Sequence, residues 1–543
     1  PRHIELLDEI PLTAQGKVDR RALPVPSAGR DPHKKSVPPR SELEFKLLAI
    51  WESVLNQEDL GVEDNFFERG GDSITAMQIV AGARRAGLRF EPRQLFEHQT
   101  IAAQAVLAAE YGGSQTDVAP PSWQGDVPLS PMQRAFFDLD PIDPHHFNQG
   151  ILLSCLHDVD QARLKDALQI VHDHHGAFSL RFERDSAGNW RQWYSENMQE
   201  EVSLETVDLR ESTDIRNDMN VALSEHQSRF DLGEGPLFRA VLIQCPNNDD
   251  RLLLLAHHLI VDGLSWAVVL GDLDDVYQQI GDTPAPKLPV ETSRYADWIV
   301  SNWGTSQPAM IGSPGRGSSG TWGDVGTFEM KLALRDQQEI SESILVTALS
   351  QSFSQMTQQE SINLTVERHG RDSGGGQLDL SRTVGWFTLP RNLEIRLPSS
   401  GIQSQFQYVE SCLKDTSTPN ATHADFEQPF GEIGFNYLGS IRLPPNSIAS
   451  GLAPERIPDL NSPRNPRWHS LELIAWRSGH DLHLLWRFRT PQYSRNTIER
   501  LADRFLAAVH SLNAVGTTAS MAEGAKSGQG IDKLMAKLDS RGK

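Results

Sequence analysis

Five prolines fall within the eighteen residues from Leu23 to Arg40 (LPVPSAGRDPHKKSVPPR), a stretch without apolar periodicity. Proline fixes φ and removes a backbone donor, so neither a helix nor a central strand crosses this segment, and the chain on either side must fold separately. A second break, Gly112 to Gly125 (GGSQTDVAPPSWQG), sets off some 70 residues between the two. A third, Gly312 to Gly326 (GSPGRGSSGTWGDVG), interrupts the large remaining piece and reads as a long flexible loop or a crossover between lobes. After Asn513 the residues turn small and polar, the composition of a disordered tail.

Charge narrows the partners. With 51 Lys+Arg against 72 Asp+Glu the net charge is −21, which argues against nucleic acid or an anionic membrane surface. Cys155, Cys245 and Cys412 are far apart and form no CxxC pair, so neither a disulfide framework nor a zinc site is expected, and a reducing, cytoplasmic setting follows. The apolar run from Leu252 to Leu270 is broken by His257, His258 and Asp262, too early to cross a bilayer. The opening PRHIELLDEI has no start Met, basic region or apolar core and reads as a cut inside a longer chain.

The piece between the first two breaks reads as helical. Ser41 to Leu55 places Leu43, Leu47, Ile50 and Val54 at helical spacing, with Ser41 as cap and Glu44 three residues on. Ser73 to Ala86 is a second helix, and Phe90–Phe96 and Thr100–Tyr111 supply two more. In DNFFERGGDSITAMQIV two glycines and an aspartate bring Ser73 to a helix start, where backbone N–H groups favour a phosphate. On these residues alone Ser73 is either a capping serine or a modified one.

From Val127 to Leu512 amphipathic helices (Gln161–Asp173, Ser341–Ser354, Ser494–Leu512) alternate with apolar runs (Gln149–Ser154, Phe238–Cys245, Leu252–His257, Phe328–Leu334, Asp481–Phe488), an α/β pattern of two halves. The run RLLLLA ends in HHLIVDGLSW, which puts His257 and His258 at a strand–loop junction, one able to enter a cavity while the other packs. A second cluster, His172, His174 and His175, lacks the spacing of a zinc site, as does the first, so no metal is expected. Glu367, read alone, is a surface carboxylate paired with Arg368 or Arg371.

Together these motifs resemble a fragment of a non-ribosomal peptide synthetase. GGDS with its helices resembles the peptidyl carrier protein, and PLTAQGKVDRRALP (Pro11–Pro24) looks like the last motif of an adenylation domain. HHLIVDG, PLSPMQRAFF and HDHHGAFSLRF resemble the condensation-domain superfamily, while TVERHGRD, TVGWFTLP and FNYLG resemble its epimerization branch. The resemblance implies a multidomain chain: a small four-helix-bundle carrier followed by a two-lobed α/β domain of the chloramphenicol-acetyltransferase-like fold. Its expected parts are an adenylation tail (1–25), a linker (26–37), the carrier (38–113), a second linker (114–126), the epimerization domain (127–512) and the tail (513–543). The lobes of that domain would span about 127–310 and 325–512.

The resemblance also assigns roles. Ser73 would carry 4′-phosphopantetheine and, through it, an aminoacyl or peptidyl thioester, and Lys17 would be a remnant of adenylation. His258 and Glu367 would be the acid/base pair that inverts the α-carbon, with His257 and an Asp262–Arg371 ion pair as structural supports and Tyr437 lining the site. Expected partners are a phosphopantetheinyl transferase, an upstream adenylation domain and a downstream condensation domain, with neither nucleic acid nor membrane. The rival readings are a peptide-bond-forming condensation transferase and a silent domain that binds the loaded carrier.

Overall fold

The computed structural model describes residues 36–513, except 56, 58, 68, 70, 72, 89, 91, 112–122, 124, 157–158, 197–200, 282, 284, 292, 305–319, 335–339, 372–377, 415–429, 441–446, 459 and 479–480. Lys17, most of the second linker and the tail therefore lie outside the described residues.

Four helices form the first part: α1 (Glu42–Leu55), α2 (Ser73–Arg85), α3 (Pro92–Glu97) and α4 (Ile101–Tyr111). Ser41 Oγ accepts the Glu44 amide at 3.1 Å, the expected cap, but the Glu44 carboxylate accepts from Arg40 N, one residue further out than a capping box requires. Leu47, Trp51 and Leu55 pack with Phe66, Ala76, Ile79, Leu95 and Ile101 in one core. Fully burying side chains of this size contributes about 1.5–3 kcal/mol each. The Trp51 indole donates to Gln104 Oε1 at 3.0 Å, so the buried N–H has its partner.

The second part holds three sheets. Strands β1 (Asp126–Val127), β4 (Trp190–Tyr194) and β3 (Leu180–Arg184) form the smallest. A five-stranded sheet runs β12 (Ala449–Leu452), β2 (Asn148–Cys155), β7 (Arg251–His257), β6 (Phe238–Gln244), β5 (Leu204–Asp208). A six-stranded sheet runs β10 (Leu389–Ile395), β9 (Ile362–Arg368), β11 (Ile433–Ser440), β13 (Leu471–Ser478), β14 (Asp481–Arg489), β8 (Val325–Ala333). The helices of this part are α5 (Pro131–Asp138), α6 (Gln161–His174), α7 (Ile215–Glu225), α8 (Gly263–Gln279), α9 (Tyr295–Trp303), α10 (Glu342–Thr357), α11 (Ile402–Lys414) and α12 (495–513).

Strand alternation divides the six-stranded sheet into two faces. Leu364, Val366, Phe435, Leu471, Leu473, Leu484 and Trp486 point into a core closed by α10, α11 and α12. Glu367, Asn436, Glu472 and Arg487 occupy the alternate positions.

Two segments that sequence order assigns to the second lobe join the first. Leu380, Val384, Trp386, Phe387 and Leu389 belong to the first core, and β12 pairs antiparallel with β2. Without β12 the edge of β2 would expose unpaired backbone groups, which explains the return. The glycine-rich break is also shorter than expected: Trp322–Asp324 forms a 3₁₀ turn and β8 begins at Val325.

Candidate functional site

The apolar strand β7 ends at His257, and His258 already belongs to the 3₁₀ turn His258–Ile260. The two rings therefore differ because the strand stops, not because it alternates. His257 is buried; its Nε2–H donates to the Pro144 carbonyl at 2.9 Å and Nδ1 accepts from Leu259 N at 3.3 Å. Burial pushes its pKa down to about 3. His258 stacks on Phe147, with ring centroids 5.0 Å apart, and lies 4.5 Å from Trp386. Its Nδ1 lies 2.9 Å from the Val261 carbonyl and its Nε2 lies 2.9 Å from Gln149 Nε2. Burial lowers its pKa to about 4, so the ring is neutral and fit to accept a proton.

Asp262, four residues beyond His258, caps α8: Oδ1 accepts from Ser265 N and Ser265 Oγ, both at 2.8 Å. The same oxygen lies 3.2 Å from Arg371 Nη2, and Oδ2 accepts from Phe387 N at 3.1 Å. Arg371 also donates to the carbonyls of Leu380 (2.8 Å) and Thr383 (2.7 Å) and lies over the Phe387 ring. Between Glu367 and Arg371 the chain turns at Gly370, where φ is +61° and an added Cβ would lie 2.0 Å from the Phe387 carbonyl oxygen. Only glycine fits there.

Glu367 stands near the end of β9, on the face of the six-stranded sheet turned away from the second core. Its expected arginine partners are engaged elsewhere, Arg368 with Glu342 and Arg371 with Asp262. Instead Glu367 Oε2 accepts from Asn436 Nδ2 at 2.5 Å. Solvent reaches the carboxyl, yet protein groups crowd it. That desolvation, and then the negative charge of Glu472, push its pKa up to about 7, against Arg487 and the Asn436 bond. Glu472 is held by Arg467 at 2.9 Å and Arg487 at 3.7 Å, and both guanidiniums lie over Trp322. Burial would raise Glu472, but the two arginines outweigh it and keep it ionised.

Tyr437 departs from expectation. One residue past Asn436, it takes the opposite face of β11, packs against the second core and donates its hydroxyl to the Ile340 carbonyl at 3.2 Å. Alternation puts it on the face opposite Glu367 and Asn436.

Two sets of contacts link the segments that carry His258 and Glu367. Arg371 follows Glu367 by four residues, Asp262 follows His258 by four, and the two are ion-paired. From the other side, Trp386 touches His258 and Pro390 is the register partner of Glu367, so at most about 14 Å of extended chain links the two contacts. The helix α2, which begins at Ser73, touches α8, the helix that Asp262 caps, and β11, the strand that carries Asn436. Gly71 packs its backbone on the Phe66 ring, where an added Cβ would meet ring carbons at 2.3 Å.

Elsewhere in the chain, His174, His175 and Asp272 cluster. Both Asp272 oxygens are taken, one by His175 Nε2 at 2.9 Å and one by the Arg382 guanidinium, which gives this group a structural role. Sequence reasoning missed Gln149, Asn436 and the Arg467–Glu472–Arg487 group. Asn436 stands inside the FNYLG motif, whereas Gln149 and Glu472 sit in strands without a local signal.

Comparison with known proteins follows the same division. The phosphopantetheine attachment site family matches residues 46–105, and the condensation domain family matches residues 123–309. Chondramide synthase of Chondromyces crocatus is 32% identical over 92% of this chain and 14% of its own length. A linear gramicidin synthase protein of Brevibacillus parabrevis is 31% identical over 100% of this chain and 8% of its own. The chain thus spans a small part of these relatives. Among solved structures, the epimerization domain from the third module of tyrocidine synthetase B superposes with a TM-score of 0.64 at 21% identity, covering 74% of this chain and 98% of that one. The first condensation domain of the calcium-dependent antibiotic synthetase gives 0.55 at 16% identity, covering 72% and 97%. At these identities the likeness is one of fold.

Proposed function

This chain is a piece of the non-ribosomal peptide synthetase family, a 4′-phosphopantetheine carrier joined to a condensation-superfamily domain, and on that premise we propose that it epimerizes the α-carbon of an aminoacyl or peptidyl thioester held on Ser73. The observation that carries the reading is Glu367, a crowded carboxyl hydrogen-bonded to Asn436 and four residues before Arg371, which pairs with Asp262 beyond the His258 turn.

Inverting an α-carbon needs one group to take the α-proton from one face and another to return a proton to the opposite face. His258 holds its ring neutral and Glu367 holds a proton near neutral pH, so each can serve in either direction of a reversible reaction. The electron pair left by the proton delocalises onto the thioester oxygen as an enolate, and reprotonation at carbon restores the carbonyl. Each positioned acid/base group contributes about 10²–10⁴ in rate, so the pair supplies roughly 5–11 kcal/mol. The Asp262–Arg371 pair keeps the two groups in register, and His257 fixes the turn.

The family match at 123–309 favours a second reading, a transferase that joins a donor thioester to an acceptor amine. One experiment separates the two. The holo protein loaded with an L-aminoacyl or peptidyl arm is incubated in D₂O, and the released amino acid is analysed for chirality and α-deuterium. Epimerization gives D product bearing deuterium, reduced at least about 100-fold in Glu367→Gln. Unlabelled L product from every arm tested, with peptide formed when an acceptor amine is supplied, replaces the proposal with the transferase.

A further inference from the structure

Gln149 is the second residue of β2 and Phe147 immediately precedes the strand, in an isolated bridge with Asn461. Both touch the same imidazole: Phe147 stacks on the His258 ring, and Gln149 reaches its Nε2 at 2.9 Å. The backbone holds this arrangement, since His258 N donates to the Phe147 carbonyl at 2.8 Å and Asn148 pairs with His257 across the ladder.

The hydrogen bonds admit one assignment. The Val261 carbonyl can only accept, so His258 Nδ1 carries a proton. In the neutral ring Nε2 then carries the lone pair. The Trp266 indole can only donate, and it lies 3.1 Å from Gln149 Oε1, which fixes the amide with its NH₂ toward His258. The chain therefore runs from the Trp266 N–H to the Gln149 carbonyl oxygen, and from the Gln149 N–H to the lone pair on Nε2.

We propose that Gln149 is a positioning residue that, oriented by Trp266, fixes the His258 ring and keeps the lone pair on Nε2, the ring nitrogen not tied to the backbone. The inference deepens the function proposed above and rests on it for its catalytic meaning. A donor at Nε2 favours the unprotonated ring, the state that accepts an α-proton. When the α-carbon approaches, the amide N–H yields its place and remains as a donor beside the substrate. The charged group whose field reaches the ring is Asp262, on its own turn. Asn148 and Gln149 on β2, Trp266 on α8 and Trp386 on the opposing loop present no charge, and His257 beside it is held neutral.

The test uses the full chain labelled with ¹⁵N-histidine, with the His258 signals assigned by their loss in His258→Ala. In the wild type the Nδ1–H tautomer, with bare Nε2, is expected from pH 5 to 8. Gln149→Leu removes the donor and is expected to raise the protonation midpoint of His258. Gln149→Glu replaces the donor with an acceptor and is expected to raise it further, at least tenfold in proton affinity, with α-deuterium incorporation falling about 100-fold or more. An unchanged tautomer and midpoint in both folded variants overturns the proposal, as does lost exchange with unaltered His258 signals. Because the ring titration is read without substrate, it decides the role of Gln149 even if the wild type incorporates no deuterium, an outcome that would count against epimerization alone.

Discussion

Glu367 is the residue whose chemistry and stability pull in opposite directions. Its folded pKa, about 7, lies above the ordinary value of 4.5, so the favourable contribution of its neutral form is complete below about pH 4.5 and is lost as pH rises through 7. Glutamine keeps the shape and never ionises. The melting temperature of Glu367→Gln should therefore exceed that of the wild type by a margin that grows from pH 5 to pH 8, measured by differential scanning fluorimetry. A margin flat with pH would show that the carboxyl is not crowded in solution. At this scale legibility tracked motif density. Glu367 and His258 sat in runs of unusual residues, whereas Gln149 is an ordinary strand residue whose meaning depends on partners 109 and 117 positions away. Such a triangle has no signature along the chain, and neither has the pull of Glu472 on Glu367 across the intervening β11.

At the scale of elements, the N-terminus of α8 is the knot. Asp262 binds its own helix through Ser265, the segment after β9 through Arg371, and the Trp386–Phe387 loop through Phe387 N. Removing one partner of a buried pair leaves an uncompensated charge, a loss of about 3–5 kcal/mol. Asp262→Ala should thus unfold at clearly lower denaturant, followed by circular dichroism, and an unaltered midpoint would mean that Arg371 finds another partner. The ion pair was expected from the family resemblance of the two motifs and not from any spacing between them. The elements themselves were legible from period: the apolar runs at Phe238 and Leu252 became β6 and β7 within a residue or two. Tyr437 went wrong because a motif gives residue identity but not phase, and one position along a strand changes the face. The return of β12 to the first sheet was illegible, as four residues carry too little pattern to name their partner.

Across the whole molecule the described residues form three buried cores, one in the helical part and two in the larger part, and the first of those two also takes in Leu380–Leu389 and Ile448–Ala449 from late in the chain. Among the described residues no helix is long and apolar enough to cross a membrane. If Ser73 serves the cleft of its own chain, the rate of α-deuterium incorporation should hold constant over about a hundredfold dilution. A rate falling in proportion to concentration would mean that one chain's arm feeds another's cleft. The position of α2 beside α8 and β11 carries a further consequence. If Ser73 holds the cargo, as proposed, a leash starting there would confine it to a small volume, equivalent to a millimolar solution of itself. A catalyst supplied that richly gains nothing from gripping hard. Discrimination among side chains would then fall on how fast each is turned over, and tight-binding mimics of the free amino acid would make poor inhibitors.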